Sequence, residues 1–120
     1  MMTSNKYQFI NLEYMELMAD NDASMKKIML EMLLEELPLE LAKMRSCLDS
    51  KDWVDLSNVS HKMKSTLAYV GNDEMTVANK TMETLAKSGE NLNEMPDLIA
   101  ILETTYQNIL PELQLELSKL

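Results

Sequence analysis

An all-α fold is predicted by three features of the sequence. Only 2 Gly and 3 Pro occur in 120 residues, too few turn formers for a sandwich of short strands. Long unbranched side chains dominate, 12 Met among them, and these favour helix. Apolar residues recur at three- and four-residue spacing through four long segments. With 46% hydrophobic residues, the chain is expected to form one domain over residues 1–120, with a core that needs no disulfide or metal.

The elements follow in order. Leu12, Met15 and Met18 lie along one side of a short helix from about Leu12 to Ala19. Asp20-Asn21-Asp22 breaks it, and Asp22 suits an N-cap. A long helix from about Ala23 to Leu48 is expected to bury Met25, Ile28, Met29, Met32, Leu37, Leu41, Met44 and Leu48, with a kink at Pro38. A turn at Asp49-Ser50 leads to a helix from about Lys51 to Val70, ended by Gly71 as a left-handed cap. Asn72 or Asp73 caps the next, which carries Met75, Ala78, Met82 and Leu85 and ends at Ser88-Gly89. The last begins near Met95-Pro96, carries Leu98, Ile101, Leu102, Thr105, Ile109, Leu113 and Leu117, and is expected to bend at Pro111. Four amphipathic helices with short connections predict an antiparallel four-helix up-and-down bundle with an additional short N-terminal helix on its flank.

Charge and composition narrow the function. Against 11 basic residues stand 20 acidic ones, a net charge of -9. Such a chain repels nucleic-acid phosphates and anionic membrane surfaces, so neither is an expected partner. Cys47 is the only cysteine, which leaves no internal disulfide and no Cys/His zinc cluster. Residues 1–20 lack a basic start followed by an apolar block, and the longest apolar run, Leu98 to Leu102, is too short to span a bilayer. A cytoplasmic protein is expected.

The third long segment holds the informative pattern. Leu56, Val59, Met63, Leu67 and Val70, with Trp53 at the edge, cluster on one side of the helix. His61, the only histidine, falls about 160° from Met63 on that wheel and points away from the core. Ser57 and Ser65 flank it at i−4 and i+4, and Val54, Asn58 and Ala68 share or border its face. Small neighbours leave the ring standing proud of the helix. Lys62 and Lys64 place positive charge beside it in an otherwise acidic chain, which suits a phosphoryl group or an acidic pocket. A plain surface histidine between solubilising lysines fits the same wheel.

The stretch from Ser60 to Gly71 resembles the signature of histidine-containing phosphotransfer (HPt) domains. The shared features are His61, Lys64 three residues on, small Ser65, and the Val70-Gly71 pair closing the helix. Pro38 in the preceding helix and the Asp52-Trp53 pair before the active one extend the likeness over nearly the whole chain. Family members usually carry Gly after the lysine, where this chain has Ser65. Docking is expected to survive so small a replacement.

The resemblance implies a phosphocarrier. His61 would accept a phosphoryl group from a receiver-domain aspartyl phosphate and pass it to another receiver. Imidazole suits this, since its ordinary pKa of about 6.5 leaves a neutral, nucleophilic ring fraction at cytoplasmic pH. The attacking nitrogen would be Nε2. Lys64 would contact the phosphoryl oxygens, and Val54, Ser57, Asn58, Lys62, Ser65 and Ala68 would form the receiver-docking face. Ser57 or Ser65 would be placed to hydrogen-bond the ring or the phosphate. The protein would hold no cofactor of its own, the Mg²⁺ coming with the receiver. No Gly-rich phosphate loop is present, so neither ATP binding nor autonomous kinase activity is expected. The expected partners are the receiver domains of response regulators and hybrid sensor kinases, met by a monomer. Two other readings stay open at this point: a helical interaction module without phosphotransfer, and a histidine-kinase dimerisation bundle.

Overall fold

Each of three helices starts where a short polar side chain takes up free backbone N–H groups. The computed structural model describes residues 7–120, so residues 1–6 of the expected domain, and of the segment read for a leader, lie outside the described residues. Five helices follow one another: α1 (Glu13–Met18), α2 (Ala23–Ser50), α3 (Trp53–Val70), α4 (Asp73–Ser88) and α5 (Met95–Ser118). A 3-10 turn, Leu92–Glu94, leads into α5. Asp22 caps α2 by accepting from the Ser24 and Met25 amides. Asp52 caps α3 through the Asp55 amide, and Asn72 caps α4 through the Met75 amide. There is no strand among the described residues.

The bundle is antiparallel, and its cross-links show it. Lys26 pairs with Glu116 and Arg45 with Glu103, so α2 and α5 run in opposite directions. Thr66 donates to Glu40 and Cys47 to Asp55, which sets α3 against α2 in the same sense. In the closed ring of four, α3 packs on α2 and α4, and α5 on α4 and α2. The short α1 lies against α3 and α2, with the Tyr14 and Tyr69 rings 5.4 Å apart. The expected inward stripe of α3 is fully buried from Leu56 to Val70, and Leu102, Ile109 and Leu113 of α5 are likewise at 0% exposure.

Two expectations for α2 are corrected. Its inward stripe begins with Leu30 and Leu33, whereas Met25, Ile28 and Met32 stand half exposed. Stepping back from Leu37 by four and then three residues reaches Leu33 and Leu30. Met32, five residues away, lies about 140° round the helix. The end of α2 also runs on through Asp49 and Ser50, and the turn is Lys51-Asp52, with Lys51 in the left-handed conformation at φ +58°. The helix is continuous through Pro38.

The segment ahead of α1 closes one end of the bundle. Glu112 of α5 accepts the amides of Gln8, Phe9 and Ile10, and Asn72 donates to the Phe9 carbonyl. The Asn11 amide donates to the Val70 carbonyl at 3.0 Å, so the segment crosses the turn between α3 and α4 at close range. Gly71 makes this possible. Its φ is +71°, and a Cβ there would lie 2.0 Å from the Asn11 carbonyl oxygen. Gly89 has nearly the same φ, +72°, with nothing within 4 Å.

These two glycines separate backbone strain from close approach. Gly89→Ala is expected to cost about 1–2 kcal/mol, the left-handed conformation alone. Gly71→Ala adds collision with rigid backbone, so its loss should exceed that of Gly89→Ala by at least ~2 kcal/mol. Chemical denaturation of both variants beside the parent measures the difference, and equal losses would refute the crossing.

Candidate functional site

The exposed face of α3 is set by which of its sides the neighbouring helices cover. His61 stands at mid-helix with its side chain 69% exposed. Val54, Asn58, Lys62, Lys64, Ser65 and Ala68 are exposed around it, as the wheel predicted. Ser57 is not: it is buried at 7%. It lies three residues before Ser60, whose side chain meets Asn79 of α4, and so shares the side of α3 turned to that helix. It is therefore removed from the docking face.

The ring's partner is Glu83 of α4, which the sequence reading missed. His61 Nδ1 lies 3.1 Å from Glu83 Oε2. Lys87, one turn further along α4, donates to the same oxygen at 2.9 Å, and Lys64 meets Oε1 at 3.0 Å. Glu83 is almost fully covered, with a side chain at 6% exposure. One carboxylate thus gathers three cationic or hydrogen-bonding groups from two helices. The Lys87 and Lys64 ammonium groups, and then the imidazole, hold its carboxyl well down, to about 2, against the upward push of burial.

That ionisation decides the ring's chemistry. A carboxylate only accepts hydrogen bonds, so Nδ1 carries the hydrogen. In the neutral ring Nε2 is then left with a free lone pair, turned to solvent on the opposite edge. The tautomer follows from the partner rather than from an observed hydrogen. Neither Ser57 nor Ser65 supplies a hydrogen bond to the ring.

Below the histidine the two helices are clamped. Ser60, at 0% exposure, lies with Oγ 2.8 Å from both the carbonyl and the side-chain oxygen of Asn79, and Asn79 Nδ2 returns a bond to the Ser60 carbonyl at 2.9 Å. Asn79 and Glu83 sit one turn apart on the same flank of α4. They are the two polar positions that the apolar wheel of that helix passed over.

Lys62 turns to the other flank of α3. Its charge acts on Glu40 of α2, whose carboxyl burial pushes up. Beyond Ser65 the face opens into a groove of about 470 Å³ between α1, α2 and α3. Its walls include Met18, Met25, Met29, Met32, Ser65 and Tyr69. Among the described residues no group of three or more His, Cys, Asp and Glu side chains is arranged to hold a metal ion.

Comparison with known proteins identifies a family. The family model described as Hpt domain matches residues 28–120. The chain is similar to the phosphorelay protein LuxU of Vibrio vulnificus strain YJ016 and to that of strain CMCP6. Each is 32% identical over 80 residues, covering 67% of this chain and 70% of the relative. No solved structure matches.

Two measurements check the Glu83 assignment. In long-range ¹⁵N–¹H spectra of the neutral ring, His61 should be the Nδ1–H tautomer, and Glu83→Ala should shift it toward Nε2–H. A tautomer unchanged by the variant would remove Glu83 as the ring's partner. The second is pH dependence. The folded carboxyl lies near 2 against an ordinary value of 4.5, so its stabilisation is complete above about pH 5 and is lost as pH falls toward 2. The stability difference between parent and Glu83→Gln should be flat above about pH 5 and shrink below it.

Proposed function

We propose, since the chain belongs to the Hpt domain family, that His61 is its phosphoacceptor and that Glu83, Lys64 and Lys87 make it competent. The protein is a phosphotransfer carrier of two-component relays, and it works with receiver domains. The observation that carries the residue assignment is the ring's arrangement: Nδ1 tied to an ionised carboxylate, and an exposed Nε2.

The transfer is an in-line displacement. The Nε2 lone pair attacks phosphorus of the receiver's aspartyl phosphate, and the phosphorus–oxygen bond to the aspartate breaks. The electron pair leaves on the aspartate carboxylate. The imidazole ring becomes cationic as the N–P bond forms, and Glu83 stabilises that charge through the Nδ1 hydrogen. Lys64, half exposed beside the ring, swings from Glu83 to the phosphoryl oxygens, and Lys87 remains to neutralise the carboxylate. Mg²⁺ and the remaining catalytic groups come with the receiver. Return of the phosphoryl group to another receiver is the same step reversed.

Docking follows from the surface around the ring. The receiver's acidic pocket closes over His61 between Val54, Asn58, Lys62, Ser65 and Ala68. Ser65 also lines the groove, so the apolar walls of α1 and α2 continue the same face. An apolar patch of the receiver laid in the groove would anchor the complex while its pocket covers the ring. The chain acts as a monomer in this scheme. No described helix is long and apolar enough to cross a membrane.

Mixing with a phosphorylated receiver and Mg²⁺ should label His61 with an acid-labile, alkali-stable phosphoryl group, and His61→Gln should take up none. Label on the variant would end the assignment. Lys64→Ala should slow transfer by about tenfold, a barrier increase of roughly 1–2 kcal/mol, with less effect on docking. Ser65→Glu should keep its thermal stability and transfer poorly, because it puts bulk and negative charge on the phosphoryl path. Parent-like transfer by Ser65→Glu would place the docking face elsewhere.

A further inference from the structure

The methionines divide sharply by place. Six of them, Met15, Met44, Met63, Met75, Met82 and Met95, are at 0% exposure in the core. Met18, Met25, Met29 and Met32 line the single groove beside Ser65. Of these, Met18, Met25 and Met32 are 48%, 45% and 53% exposed, and Met29 is partly buried. Every described methionine is thus either sealed from solvent or in the groove. Leucine is as good a helix former and as apolar, and it fills the core position Leu30 of the same helix. Apart from Leu33 and the Tyr69 ring, the apolar side chains of the groove wall are thioethers.

We propose that these four methionines are an oxidation site, and that their conversion to sulfoxides by a peroxide reversibly closes the docking groove to receivers. The inference rests on the docking reading given above. The chemistry balances with a peroxide as the oxidant. A methionine sulfur lone pair attacks one oxygen of hydrogen peroxide, and the O–O bond breaks. The other oxygen leaves with the electron pair and, taking up the proton shed by the transferred oxygen, departs as water. Sulfur is oxidised by two electrons and carries a new S=O bond. A dithiol reductant reverses the step, forming a disulfide and water.

The physical consequence follows from polarity. A thioether is soft and apolar, and it adapts to the shape laid against it. A sulfoxide carries a strong acceptor oxygen that must stay hydrated or find a donor. The groove walls hold few donors to meet four such oxygens, Ser65, Thr66 and Tyr69 among them. Docking an apolar surface would therefore strip water from the sulfoxides without replacement. His61 and Glu83 lie on the α4 side of α3, so the phosphoacceptor itself is untouched.

The test uses the whole protein and hydrogen peroxide. Mass mapping at graded peroxide should find sulfoxide on Met18, Met25 and Met32 first, while the six core methionines stay reduced. Uptake of phosphoryl from a receiver should then fall by roughly tenfold or more. Labelling by phosphoramidate, a small donor that needs no docking surface, should be unchanged, and methionine sulfoxide reductases should restore receiver transfer. Oxidation of core methionines at the same dose, or equal loss with phosphoramidate, would overturn the proposal by showing general damage. A combined Met18→Leu, Met25→Leu, Met29→Leu and Met32→Leu variant should lose its peroxide sensitivity relative to its own untreated rate. The same four positions changed to Gln separate the two readings. If the Gln variant docks normally, the groove is not the receiver site and the docking reading fails. If the Gln variant is impaired but the oxidised parent transfers at full rate, docking stands and the oxidation proposal fails.

Discussion

The site depends on one buried carboxylate being kept charged. Glu83 is packed between α3 and α4 with little access to water, a position where burial favours the protonated form of a carboxyl. Lys64 and Lys87 prevent that, and the cost of burying the charge is offset by three short interactions. If Glu83 were neutral it could donate a hydrogen to Nδ1, and the ring's free lone pair would then face inward. Ionisation of a residue on the neighbouring helix therefore sets the tautomer of the histidine of α3. In the proposed transfer Lys64 would be shared between Glu83 and the phosphoryl group, which would then gain only the difference between two ion pairs, and that would suit a carrier that releases its load.

Geometry at this level needs the two helices to be fixed against each other. The Ser60–Asn79 clamp lies one residue before His61 on α3 and one turn before Glu83 on α4. Both side chains are buried and their bonds are reciprocal, so sliding α4 along α3 would strand polar groups in the core. A slide of one turn, about 5.4 Å, would also part Glu83 from the ring. The polar clamp gives the pair of helices one register where apolar packing alone would tolerate several.

Much of this was readable from sequence, for reasons that differ by element. The stripe of α3 keeps an unbroken three- and four-residue rhythm from Leu56 to Val70, so its buried and exposed sides could be assigned before the fold was known. His61, Lys64 and Ser65 lie well within the open arc and are exposed. Ser57 lies at the arc's edge, where burial depends on how closely α4 approaches, and a wheel carries no such information. In the first half of α2 apolar residues occupy more than one side, so periodicity admitted two phases, and packing against α3 and α5 selected Leu30 and Leu33. The side not selected is the methionine groove. Glu83 and Lys87 have the spacing of an ordinary helix-surface ion pair. Only the pairing of α4 with α3 turns them toward a histidine more than twenty positions earlier.

The clasp of Glu112 on Gln8, Phe9 and Ile10 joins residues more than one hundred positions apart, and this bears on the order of assembly. The α3–α4 hairpin closes across two residues and can form as soon as both helices leave the ribosome. Residues 8–10 are made more than one hundred residues ahead of their partner on α5. During vectorial synthesis the amides of residues 8–10 lack their carboxylate partner until α5 docks, while the bonds over the α3–α4 turn need only α3 and α4. Loop-closure entropy sets the same sequence for refolding in solution. The bundle condenses from its hairpins, and the clasp of Glu112 on residues 8–10 closes late.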